Sequence, residues 1–256
     1  MLHVHPVPAF QDNYIWLIQA ENSQKALIVD PGDAIPVIEA LKQLNLEPVA
    51  ILITHHHADH IGGIDALLAQ FSLPVYGPAA ETIPALTQPL ESCDDLLIDP
   101  DFPAFQVLDT PGHTAGHICY LAENKLFCGD TLFAGGCGRL LGGTAADLFD
   151  SLQLLSMLPA DTEIYCAHEY TKANLRFAKT VDRENPALDK RITITQQKRA
   201  RNEATVPSLL ADELATNPFL RSEDPKVKRA AEQFAGRPLD NAKAVFTMLR
   251  QWKDQF

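Results

Sequence analysis

The sequence predicts an α/β module over residues 1–170 followed by a helical module over residues 171–256. Three observations carry that expectation. Up to residue 170, short apolar strand-like runs alternate with amphipathic segments, whereas beyond it apolar positions recur at helical spacing almost throughout. Formal charge divides at the same place: residues 1–170 hold 22 acidic and 4 basic side chains, residues 171–256 hold 11 acidic and 17 basic, giving −18 and +6. All 9 histidines fall in the first part.

The strand-like runs are YIWLI (14–18), KALIVD (25–30), VAILIT (49–54), FQVLDT (105–110), HICYLA (117–122), KLFCGD (125–130) and EIYCAH (163–168), with amphipathic helices expected over 34–44 and 146–158. Strand–helix–strand stretches recur in both halves of this part, which is compatible with a duplicated layout. Helices of the second part are expected over 172–182, 187–203, 225–235 and 239–253, punctuated by Pro186, Pro207, Pro218, Pro225 and Pro238.

At 256 residues the chain can bury a sizeable core. No apolar run approaches the roughly 18 residues of a membrane span, so no membrane association is expected. MLHVHPVPAF at the start lacks a basic segment followed by an apolar stretch, and a secretory signal is not expected. The five cysteines (93, 119, 128, 137 and 166) are odd in number and form no CxxC pair. Cys128 and Cys166 sit in strand-like runs, where small buried thiols belong. Disulfides are therefore not expected, a reducing cytoplasm fits, and a monomer is expected. The charge division suggests that one module faces an anion, although most of the basic residues read as solvated helix surface.

Residues 52–63, LITHHHADHIGG, concentrate the chemistry. Five side chains able to ligate a metal, His55, His56, His57, Asp59 and His60, follow directly on the apolar run 49–53. A chain leaving a strand at Thr54 projects alternate side chains to opposite sides, which sends His55 and His57 one way and His56 the other. His55 and His57 are therefore candidate ligands, and His56 is not. His and Asp at this density point to a metal, and a polar loop that is merely His-rich does not explain the placement at a strand end. Six residues cannot surround a metal alone. VLDTPGHTAGH supplies His113, LFCGDTLF supplies Asp130 and IYCAHEY supplies His168, each at the end of an apolar run. One such residue by itself reads as a satisfied structural group; the repeated context points to convergence on one rim. His117 opens the next strand and reads as structural, and nothing is assigned to His3 or His5.

THHHADH at 54–60, with His113, Asp130 and His168 following in order, resembles the T-H-x-H-x-D-H pattern of the metallo-β-lactamase superfamily. Within it, FQDNY (10–14), FAGGCGR (133–139), AHEYT (167–171) and LRQWKDQF (249–256) resemble the glyoxalase II family, the hydroxyacylglutathione hydrolases, over essentially the whole chain. The resemblance implies an αββα sandwich with a C-terminal helical domain, the metal-binding catalytic domain covering 1–170 and the substrate-binding domain 171–256. It implies two divalent metal ions, the first held by His55, His57 and His113, the second by Asp59, His60 and His168, with Asp130 bridging them. Zinc suits this set of imidazoles and carboxylates, and iron and manganese suit it too.

The resemblance further implies that Arg139, Tyr170, Arg250 and Lys253 bind the substrate, a small-molecule glutathione thioester. Arg250 and Lys253 are three apart and so share a helix face, where cations near a helix C-terminus also favour the local dipole. In one place the sequence departs from the family: Leu140-Leu141 stands where relatives carry an aromatic residue, so a ring or hydroxyl contact to the peptide is not expected.

The implied reaction turns S-D-lactoylglutathione and water into D-lactate and glutathione, the second step of methylglyoxal detoxification. Two metals roughly 3.5–4 Å apart share a water and bring its pKa from about 16 toward 7, so that a bridging hydroxide attacks the thioester carbonyl while a metal polarises its oxygen. Asp59 would accept a hydrogen bond from that hydroxide and aim it. The departing thiolate, of ordinary pKa about 8.5, needs little help from an acid.

Other readings fit less well. A persulfide dioxygenase on this fold needs one iron and an open position, against the complete second ligand set. A nuclease would surround its metals with basic surface, whereas this part carries −18, and no nucleic-acid partner is expected. A secreted β-lactamase needs an export signal, and a metal-binding protein without activity has no use for a cation-bearing helical appendage.

Overall fold

Strand β1 (Leu2–Ala9) pairs antiparallel with β2 (Asn13–Ala20), which pairs antiparallel with β3 (Lys25–Val29). Apolar periodicity does not predict β1, because Pro6 and Pro8 cannot donate to a ladder; the strand lies at the edge of its sheet, where proline is tolerated. Helix α1 (Ala34–Leu44) connects β3 to the parallel strand β4 (Glu47–Leu52). Asp33 caps its start by accepting from the Ile35 amide at 3.0 Å, and Asn45, at φ 53°, closes its end. Short helices α2 (Ala58–Ile61) and α3 (Ile64–Leu68) precede the parallel strands β5 (Val75–Pro78) and β6 (Gln88–Leu90), completing the order β1-β2-β3-β4-β5-β6. Val37 and Leu41 on the buried face of α1 pack with Ile15, Leu17, Ile28 and Ile51 of the strands. Each such side chain, fully buried, contributes about 1.5–3 kcal/mol of transfer free energy.

The structure, a computed structural model, describes residues 1–256 apart from the side chain of Asp94. The chain falls into two compact units, Met1–Asp109 with Ala115–Gly129, and Thr110–Thr114 with Asp130–Phe256. In the first unit a further set of strands, β7 (Cys93–Leu96), β8 (Phe105–Asp109), β9 (Ile118–Ala122) and β10 (Lys125–Gly129), lies antiparallel in the order β10-β9-β8-β7. Tyr120 on β9 is wholly buried and donates its hydroxyl to the Ile53 carbonyl at 2.8 Å, which ties this set to the segment leaving β4.

The second unit contains the hairpin of β11 (Leu132–Phe133) and β12 (Gly136–Cys137), helix α4 (Ala145–Ser156), and strand β13 (Glu163–Cys166) paired with β14 (Ser208–Leu209). Its remaining helices are α5 (Thr171–Val181), α6 (Pro186–Ala200), α7 (Leu210–Thr216), α8 (Pro225–Ala235) and α9 (Ala242–Asp254), with a 3₁₀ turn at Pro218–Leu220. Pro186 and Pro225 open their helices behind the capping side chains of Asn185 and Asp224, so the prolines that punctuate the sequence mark starts. Helix α7, at 7 residues, is too short for its periodicity to register. Phe177, Phe219 and Phe246 lie together in this unit, with ring centroids 5.9 and 5.7 Å apart in sequence.

The compositional change near residue 170 falls inside the second unit. Charge composition reports which faces are solvated, whereas the unit is defined by packing. Helix-borne side chains bond the β11–β12 backbone directly: Asn174 donates to the Ala134 carbonyl at 3.2 Å, and Glu213 accepts from the Gly135 amide at 2.8 Å. Asn217 donates to the carbonyls of Phe133 and Gly136 at 3.3 and 2.9 Å.

Candidate metal centre

The candidate donors follow the C-terminal ends of strands, and the two units supply separate shares of them. The first unit brings His55, His57, Asp59 and His60. Strand β4 stops at Leu52, so residues 53–57 are already outside it, yet the alternation expected of a strand persists: His55 is buried, His56 exposed and His57 intermediate. His55 Nε2 and His57 Nδ1 stand 3.0 Å apart. His60 Nε2 lies 3.5 Å from Asp59 Oδ2.

Asp30 organises this share. Its Oδ1 accepts from the Thr54 amide at 2.8 Å, and its Oδ2 accepts from the Thr54 hydroxyl at 2.8 Å and from His60 Nδ1 at 3.0 Å. The Thr54 hydroxyl, having given its proton to Asp30, accepts from His55 Nδ1 at 3.0 Å. Both rings are thereby held with the proton on Nδ1 and the lone pair on Nε2, the arrangement of a metal-ligating histidine whose outer nitrogen is bonded to protein. Glycine is required at 129, where φ is 46° and a Cβ would stand 2.3 Å from Thr54 Oγ1.

The second unit brings His113, Asp130 and His168, all buried. Asp130 is placed between the two histidines, its Oδ2 3.5 Å from His113 Nε2 and its Oδ1 3.3 Å from His168 Nε2. His113 Nδ1 donates to the Arg139 carbonyl at 2.7 Å, which again leaves Nε2 with the lone pair. The His168 ring is stacked on Tyr170 at 4.6 Å and meets Phe133 edge-on at 5.8 Å. In both units the donor set fits a borderline-soft divalent cation: imidazole nitrogens with fixed tautomers beside carboxylate oxygens.

The four candidate substrate-binding residues lie in the second unit. The Arg139 side chain is exposed, and Tyr170 is 36% exposed. Lys253 is partly buried, with its ammonium 5.6 Å from the Phe177 ring and 5.9 Å from the Phe256 ring, and it makes no ion pair among the described residues. Burial pulls its pKa down, and the neighbouring cations Arg250 and Arg139 add to that shift. Arg250 differs from Lys253 despite sharing its helix face. Its guanidinium is 3% exposed and donates to the Cys137 and Gly138 carbonyls and to Asp254.

Three residues that the sequence does not single out act on the donors or on the segment that carries them. Asn13 Nδ2 donates to Asp59 Oδ2 at 3.0 Å, and Glu81 holds the His56 backbone. Asp30 is the third, and it carries the same signal as Asp130: KALIVD and KLFCGD are both apolar runs ending in aspartate. His117 is buried with its ring stacked on His55 at 4.9 Å.

The description of the metallo-β-lactamase superfamily matches residues 10–168, and that of the hydroxyacylglutathione hydrolase C-terminus matches residues 169–256. The chain is 52% identical to a hydroxyacylglutathione hydrolase of Nitrosomonas europaea, over 100% of this chain and 97% of that one. Among solved structures it is similar to the BLEG-1 B3 metallo-β-lactamase, with TM-score 0.63 and 28% identity over 86% of this chain and 99% of that one. It is also similar to TTHA1623 in a di-iron-bound form, with TM-score 0.52 and 31% identity over 65% of this chain and 91% of that one.

Proposed function

The chain belongs to the hydroxyacylglutathione hydrolases of the metallo-β-lactamase superfamily, a family of thioester-hydrolysing enzymes, and from that premise we propose how its residues divide the work. His55, His57 and His113 would hold one divalent ion and Asp59, His60 and His168 a second, with Asp130 shared. The observation that carries this reading is the fixed tautomer of His55, His60 and His113, each with Nδ1 bonded to protein and Nε2 presented. Divalent ions held there supply an activated water and a Lewis acid. Zinc is the proposed metal. Iron is the alternative that the di-iron form of TTHA1623 brings to mind.

The chain's own groups orient the reaction. Asn13 donates to one oxygen of Asp59, leaving the carboxylate to accept a hydrogen bond from the attacking water and aim it. The oxygen of water bonds to the thioester carbonyl carbon and its protons pass to solvent, the C–S bond breaks, and the sulfur leaves as a thiolate, stable enough at neutral pH to depart without a positioned acid. Arg139, Tyr170 and Lys253 would take the glutathione moiety; an arriving carboxylate relieves the repulsion that Lys253 feels from its cationic neighbours. The proposed substrate is S-D-lactoylglutathione and the products are D-lactate and glutathione, the second step of methylglyoxal detoxification, carried out by a monomer in the cytoplasm. The free, mostly buried cysteines agree with a reducing compartment, and among the described residues no helix is long and apolar enough to cross a membrane.

Metal analysis and an S-D-lactoylglutathione hydrolysis assay on one preparation test this. Two transition-metal ions per chain and hydrolysis that rises with metal content are expected. One tightly bound iron, no thioesterase activity and oxygen consumption with a persulfide would overturn it.

A further inference from the structure

We infer that Arg250 is a positioning residue for the metal ligand His113, acting through the backbone of residues 137–139; this rests on the metal-centre reading above. Arg250 Nη1 donates to two successive carbonyls, Cys137 at 3.1 Å and Gly138 at 3.2 Å, and Nη2 donates to Asp254 Oδ1 at 2.8 Å. The guanidinium sits 5.2 Å over the Phe219 ring, so packing fixes its plane as well. Two adjacent carbonyls on one nitrogen set the direction in which the chain enters Arg139. The Arg139 carbonyl is the acceptor of His113 Nδ1 at 2.7 Å.

The opposite side of the same three residues is equally constrained. The Gly138 amide donates to the carbonyl of Thr131, the residue after Asp130, at 3.2 Å. No side chain fits at 138: a Cβ would stand 2.0 Å from the Asp130 carbonyl oxygen and 3.2 Å from His113 Cβ and Nδ1. Residues 137–139 thus hang between one buried arginine and two metal donors. A shift of a few tenths of an ångström at the arginine moves the acceptor that sets the ring plane of His113, and outer partners of this kind govern ligand orientation and basicity. Lysine cannot take the place of the guanidinium, because it offers a point charge on a flexible stem with no planar fork. With Nη1 on two backbone carbonyls and Nη2 on Asp254, Arg250 supports the His113 side of the site from behind.

The test is competition for Zn(II) between a chromophoric chelator and metal-stripped protein, in wild type, Arg250→Lys and His113→Ala, with circular dichroism confirming the fold. Arg250→Lys should bind one of its two zinc ions about 10- to 100-fold more weakly and the other as wild type. Unchanged affinity for both ions in folded Arg250→Lys overturns the inference. Equal weakening of both also overturns it, since that is the mark of general loosening. A wild-type protein that takes up no zinc, or a His113→Ala variant that binds as wild type, overturns the metal-centre reading instead. Should Arg250→Lys fail to fold, Arg250→Met keeps the packing of the side-chain stem and removes its hydrogen-bond donors. Selective weakening of one ion there supports the relay, and wild-type affinity for both overturns it.

Discussion

Glu81 and His56 are joined twice: one carboxylate oxygen of Glu81 accepts the His56 backbone amide at 2.6 Å and meets its ring Nδ1 at 2.7 Å. The other oxygen accepts the Gly116 amide at 3.1 Å. The middle histidine of three is thereby turned outward, its side chain 45% exposed, while His55 and His57 face each other. His56→Ala should keep its zinc and most of its thioesterase activity. His57→Ala should lose one ion and at least about 10²-fold in rate, as expected when the group that generates the nucleophile is damaged. Metal analysis and initial rates on both variants decide this, and equal losses would count against the division of roles.

Lys253 should control affinity and leave bond breaking alone. A carboxylate contact remote from the scissile carbonyl is alike in ground and transition states, so Lys253→Ala should raise KM roughly 10- to 100-fold with little change in kcat.

The same lysine predicts a pH dependence. Its pKa is lowered from 10.5, chiefly by burial, so it gives up its proton at a lower pH than a solvated lysine does. Binding of an anionic substrate is therefore complete below the lowered pKa and weakens as pH rises through it. In kcat/KM, which reports the free enzyme, the alkaline fall should begin below pH 10.5 and move upward in Lys253→Arg. A fall at the same pH in both proteins would assign it to another group.

Asn13→Ala removes the amide that orients Asp59. Chelator competition should show zinc bound about 10-fold more weakly, with the thermal midpoint of the metal-free protein nearly unchanged, because Asn13 acts on a donor and not on the core.

Glu213 is fully buried and pairs with Arg191, while also accepting from the Gly135 amide, Ser208 and Asn217. Glu213→Ala leaves the partly buried Arg191 guanidinium without its carboxylate and strips Gly135, Ser208 and Asn217 of their acceptor, and urea unfolding should show a loss of about 3–5 kcal/mol. Glu213→Gln keeps an acceptor for Gly135 and should lose less.

The candidate donors are legible in the sequence because ligand chemistry favours His and Asp at strand ends, and a strand end is visible from hydrophobicity. Asp30 was legible by the same rule. Asn13 and Glu81 were not: each meets its partner across 46 and 25 residues, and nothing local to FQDNY or AAET encodes that meeting. Strand β1 is hidden by its prolines, whose cost vanishes only at a sheet edge. For Arg250, helical spacing gives the face it shares with Lys253. Its bonding partners lie 112 and 113 residues away, and only the folded chain reveals them.

Four of the five cysteines are buried, and burial pushes the thiols of Cys137 and Cys166 up to about 11 and about 12. At pH 7 a thiol of pKa about 11 is ionised in about one molecule in 10⁴, and thiolate is the form that attacks a disulfide. A protein whose turnover releases a thiol works beside glutathione and its oxidised dimer continually. Burial keeps these two sulfurs out of exchange with either, and confines mixed-disulfide chemistry on the native chain to Cys93, the one exposed thiol.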